Sequence, residues 1–95
     1  MTDLRREVSR GARARAIIED EILVEALAAI EAELRADWEG SGPGDAAGRE
    51  ESYRMLRAAK AFRARLRQVI DDGSVAAAEI EVHERALRRK NGESE

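Results

Sequence analysis

Apolar positions along this 95-residue chain recur at helical spacing, and no alternating run rich in Val, Ile and Thr marks a strand. The clearest stripe joins Ile22, Leu23, Leu27, Ile30, Leu34 and Trp38, at intervals of three and four, with Ala26 on the same face. A second runs through Met55, Ala59, Phe62, Leu66 and Val69, joined by Tyr53, Leu56 and Ile70. A third, weaker stripe runs through Ala76, Ile80, His83 and Leu87. Before them all, Leu4 and Val8 belong to a pattern that does not pass cleanly into the stripe after Asp20.

Starts and stops divide these stripes into elements. Asp20 is a candidate N-cap, which predicts a short arm over 3–18, a bend near 19–20 and a long helix over 21–38. The competing reading is one continuous helix over 3–38. "EGSGPG" at 39–44 is a breaker cluster, and six residues suit an antiparallel helix–helix connection. Asp45 then caps a helix over 46–71, with Glu50 and Glu51 in its first turns, where negative charge suits the helix dipole. "DDGS" at 71–74 predicts a stop: Gly73 takes the left-handed position after the helix, and Ser74 caps a last helix over 75–89. A tail follows at 91–95. The expected fold is all-α, a single domain over 1–95. Its centre is a long antiparallel helical hairpin, 21–38 against 46–71, with an N-terminal helical arm and a C-terminal helix.

The stretch 37–53 holds the only Trp, Tyr and Pro of the chain and four of its seven Gly. In the hairpin, Trp38 ends one helix and Tyr53 lies two turns into the next, so the two rings are expected to meet at the tip. Gly48, which costs a helix about 1 kcal/mol relative to Ala, is expected to admit the close approach of Trp38.

Charge sharpens the pairing. Residues 19–39 carry eight acids against one Arg, and residues 49–70 carry six Arg and one Lys against two Glu. Helices of opposite sign are expected to lie side by side with ion pairs along their seam. Exposed pairs contribute only roughly 0–1 kcal/mol each, so they favour this pairing more than they stabilise it.

Candidate chemistry is sparse. With no Cys and a single His, His83, a transition-metal site is not expected, and Cys-free usage removes any disulfide staple. No serine has a base beside it in sequence, and "GSGPG" follows a helix and lacks the Lys of a phosphate-binding loop. No catalytic, metal or cofactor-binding residue is therefore assigned, and no small-molecule substrate is expected. The start shows no apolar leader and no run long enough to span a bilayer. Fifteen Arg against two Lys is a bias that GC-rich coding alone can produce. Its functional reading is phosphate contact through Arg54, Arg57, Lys60, Arg63 and Arg67, or through Arg5, Arg6, Arg10, Arg13 and Arg15 of the arm. With no base-reading element and few aromatics, such binding would be weak and non-specific.

The order of "DEILVEAL" at 20–27, Trp38, "DAAGREESY" at 45–53 and "VIDDGSVA" at 69–76 resembles a group of small helical proteins of tailed phages and prophages. The resemblance covers about 20–80. Its most specific part is the spacing from Trp38 to Asp45-Ala46-Ala47-Gly48-Arg49-Glu50 and on to Tyr53. Asp20-Glu21 departs from the Asn-Pro common in that group. The resemblance implies a non-catalytic part of the head or DNA-packaging region, in the host cytoplasm or the virion, and by analogy a small-terminase-like assembly role. Expected partners are further copies of the chain or other head or packaging proteins.

Apolar residues left outside the hairpin seam point the same way. Leu4, Val8, Ile17, Ile18, Ile80 and Leu87 are expected to form an assembly surface, because two helices cannot cover them. The competing reading closes the last helix into a three-helix bundle.

Overall fold

Asp20 ends one helix and begins the next. Its own N–H donates to the Ile17 carbonyl at 3.2 Å, and its carboxylate accepts from the Leu23 N–H at 3.0 Å, from an extended backbone that breaks the helical run. A computed structural model of the chain describes residues 2–93, and they are all-α: α1 spans Thr2–Ile18, α2 Glu21–Gly40 and α3 Ala46–Glu93. The bend at 19–20 therefore stands where the sequence places it, and the single helix over 3–38 is excluded.

The expected stop at 71–74 does not occur. α3 is one helix of 48 residues, and no glycine in it has a positive φ. The buried stripe runs unbroken across the segment: Ser52, Leu56, Ala59, Arg63, Leu66, Ile70, Gly73, Ala76 and Ile80 are all buried or half-buried, in steps of three and four. Gln68 and Asp72, four apart, are hydrogen-bonded at 2.9 Å along the helix. The separate helix over 75–89 is thus the second half of α3, and the tail at 91–95 lies inside that helix as far as Glu93.

The chain divides into two compact units, Ile17–Leu66 and Met1–Ala16 with Arg67–Glu95. In the first, α2 and the first half of α3 form the antiparallel hairpin. Leu23, Leu27, Glu31 and Leu34 of α2 are buried or half-buried, as are Ser52, Leu56, Ala59, Arg63 and Leu66 of α3. The seam is more polar than expected. Glu31 is 7% exposed and pairs with the Arg63 guanidinium across the seam, and Arg35 approaches its other oxygen at 3.8 Å. Ile30, Trp38 and Phe62, expected inside, are about half exposed instead. Other ion pairs, such as Arg54 with Glu50 and Arg85 with Glu81, lie within one helix.

The second unit rests on small residues. Gly11 of α1 and Gly73 of α3 are both buried, and they meet backbone to backbone. A Cβ on Gly73 would lie 2.9 Å from the Gly11 Cα and 3.0 Å from the Glu7 carbonyl oxygen. One on Gly11 would lie 3.0 Å from the Gly73 Cα and 3.2 Å from the Val69 carbonyl oxygen. The contact is reciprocal: each glycine faces the other and the carbonyl four residues before it. The sequence reflects this. Leu4, Val8, Gly11, Ala14 and Ile18 match Leu66, Ile70, Gly73, Ala76 and Ile80 in spacing, in character and in degree of burial. Gly73 is therefore a packing residue inside a helix, not a terminator. Large residues would hold the helices apart, whereas glycine lets Cα–H groups approach carbonyls directly.

Candidate interaction surface

Hydrogen bonds build the hairpin tip. Ser41 closes α2, its hydroxyl donating to the Trp38 carbonyl at 2.6 Å. The Asp45 N–H donates to the Gly42 carbonyl at 3.0 Å, and the Arg49 guanidinium donates to the same carbonyl at 2.6 Å. The Asp45 carboxylate accepts from the Gly48 N–H at 2.9 Å, which caps α3. "DAAGR" is thus a helix-start device: a cap, its third-turn-position glycine, and an arginine that ties the loop to the helix.

Gly48 has a different neighbour from the one expected. The nearest atoms to a Cβ there would be those of the Asp45 carboxylate, not of Trp38. Trp38 is 48% exposed and Tyr53 55%, so the tip leaves both rings half open. The Tyr53 ring faces the Arg57 guanidinium, 6.0 Å from its centroid, at the outer limit of a cation–π contact.

The five candidate phosphate contacts of α3 separate by role. Arg63 is committed to Glu31 in the seam, Arg54 to Glu50 and Glu51 on its own helix, and Arg57 stands over Tyr53. Lys60 and Arg67 are exposed. In the assembly set, Leu4, Val8, Ile18 and Ile80 are half-buried, the first two beside the glycine crossing, whereas Ile17 is 48% and Leu87 60% exposed. The arm thus finds part of its cover within its own chain.

Sequence reasoning missed how little is enclosed. Among the described residues, the buried apolar side chains are Ala14 and Ala76, and no large side chain is fully buried. Val75 and Val82 join the exposed aliphatics on the outer face of α3, beside exposed His83. No group of three or more His, Cys, Asp or Glu among the described residues is placed to hold a metal ion, and no helix among them is long and apolar enough to cross a membrane. What the geometry offers is surface: a Cys-free helical scaffold with half-exposed aromatics and aliphatics, suited to protein contact.

No protein family model, curated protein or solved structure matches this chain.

Proposed function

We propose that the chain is a non-catalytic, self-associating component of a phage head or DNA-packaging apparatus, working by protein–protein assembly in the host cytoplasm or the virion. One observation carries the assembly part: among the described residues, eleven large apolar side chains are exposed while the buried apolar side chains are two alanines. The phage setting rests on the resemblance of 20–80, and a large-terminase or portal gene beside this one would support it. Sedimentation at micromolar concentration tests the assembly. A species of several chains is expected, and a thermally stable monomer would refute it.

A second reading is a small nucleic-acid-binding regulator. It is favoured by the positions that follow seam residues: Arg35, Arg57, Lys60 and Arg67 all fall on one side of the hairpin and are exposed. Binding of duplex DNA that weakens steeply with salt, with a slope of several on a log–log plot, would favour this reading. No binding at physiological salt would favour assembly alone.

A further inference from the structure

We infer that the hairpin associates with a second copy of this chain through one defined side, that of Ile22, Ala26, Ile30, Met55, Ala58 and Phe62. This deepens the assembly reading and rests on it.

The side is fixed by helix geometry. Each of these six residues immediately precedes a seam residue: Leu23, Leu27, Glu31, Leu56, Ala59 and Arg63. Successive residues on a helix are turned by about 100°. Two antiparallel helices are related by a local two-fold axis normal to the plane they share. That operation keeps the residue before each seam position on the same side of the pair for both helices. All six are exposed, Ile22 at 72% and Ile30, Met55 and Phe62 at 46% each. They form one apolar strip of two aliphatics, two alanines, a methionine and the only Phe, bordered by Glu33, Glu51 and Arg65. Met and Phe are residues that interface centres favour.

The opposite side carries Arg35, Arg57, Lys60 and Arg67, with no acid among the residues that follow the seam positions of either helix. Two copies meeting there would set like charges against each other, so self-association is directed to the apolar side. Ala26 and Ala58 let a second pair of helices approach closely, and the product is a four-helix arrangement with a dry centre.

Three measurements on the full chain decide this. Sedimentation should give a multimer for the unaltered chain and single chains for Met55→Glu/Phe62→Glu, with the helical circular dichroism retained because both residues are on the surface. Arg57→Glu/Lys60→Glu should leave the multimer intact. Because the chain has no cysteine, single thiols report the side directly. A short bis-maleimide should couple chains carrying Ala26→Cys or Ala58→Cys and leave Ala32→Cys and Ala64→Cys uncoupled. A multimer that survives Met55→Glu/Phe62→Glu, or coupling confined to positions 32 and 64, overturns this inference and leaves the assembly reading standing. An unaltered chain that sediments as a monomer overturns both. If the double variant loses helicity, the coupling pattern alone decides.

Discussion

Gly73→Ala is expected to destabilise the protein although it improves the helix. Alanine in place of glycine in a helix interior is worth about 1 kcal/mol in propensity. Against this stands the contact with α1. The new methyl would sit 2.9 Å from the Gly11 Cα and 3.0 Å from the Glu7 carbonyl oxygen, where carbon contacts are comfortable at about 3.5–4.0 Å. Both obstacles are backbone, so no side-chain rotation relieves them, and the helices must move apart by roughly 0.5–1 Å. A gap of that size forfeits about a quarter to a half of the dispersion energy of every pair across it. Overpacking of this kind costs about 1–3 kcal/mol. The net expectation is a loss of roughly 1 kcal/mol, or about 4–8 °C in Tm. Gly92→Ala is the control: it too lies in α3, and nothing stands within 4 Å of its Cβ position. It should leave stability unchanged or raise it by up to about 1 kcal/mol. Thermal and urea unfolding followed by circular dichroism, at one fixed chain concentration, compares the two. Gly11→Ala should behave like Gly73→Ala. The double variant should lose less than the sum, because helices already parted for one methyl admit the second. Gly73→Ala stabilising as much as Gly92→Ala would refute the close crossing.

Other outcomes follow from the hairpin. Arg63→Ala should destabilise by roughly 1–3 kcal/mol, because it strands the Glu31 carboxylate, whereas Glu31→Leu with Arg63→Met should be near neutral or stabilising; urea titration of the three variants checks this. Asp45→Ala and Asp20→Ala each remove a cap and should cost about 1 kcal/mol, with amide exchange quickening at the Gly48 and Leu23 N–H groups respectively. Gly48→Ala should shift stability by less than about 1 kcal/mol, since the propensity gained is offset by rotating the Asp45 carboxylate; in an Asp45→Ala background the same change should be clearly stabilising, which a double-mutant cycle measures.

The bend at Asp20 and the cap at Asp45 were legible because each is a local event: a side-chain oxygen meets a backbone N–H three residues on, and the sequence carries both partners. Gly73 was misread because the local reading and the tertiary one use the same residue. "DDGS" has the composition of a stop, and only its partner, Gly11 in an element about sixty positions earlier, gives the glycine another purpose. The shared order of Leu, branched aliphatic, Gly, Ala and Ile in α1 and α3 was the available signal. The seam was misjudged for a similar reason. Large apolar residues were assigned to the inside by their helical spacing, whereas Ser52, Ala59 and the Glu31–Arg63 pair occupy it and Ile30, Met55 and Phe62 are left exposed. Of the candidate surface, the basic side could be read from the spacing of Arg57, Lys60 and Arg67. The apolar side could not, because it depends on which residues the seam had already taken.

The division of α3 between two units has a consequence for the order of events during synthesis. The unit Ile17–Leu66 is contiguous, and its contacts close over a five-residue loop, so it can form as soon as its last turn leaves the ribosome. The other unit joins α1 to the second half of α3. α1 is made before its partner glycine, which follows about sixty residues later, and loop closure across the intervening segment must come before any gain. For that interval the glycine face of α1 is uncovered, while the hairpin unit is already complete. The rate of elongation through 50–73 sets how long that face stays uncovered.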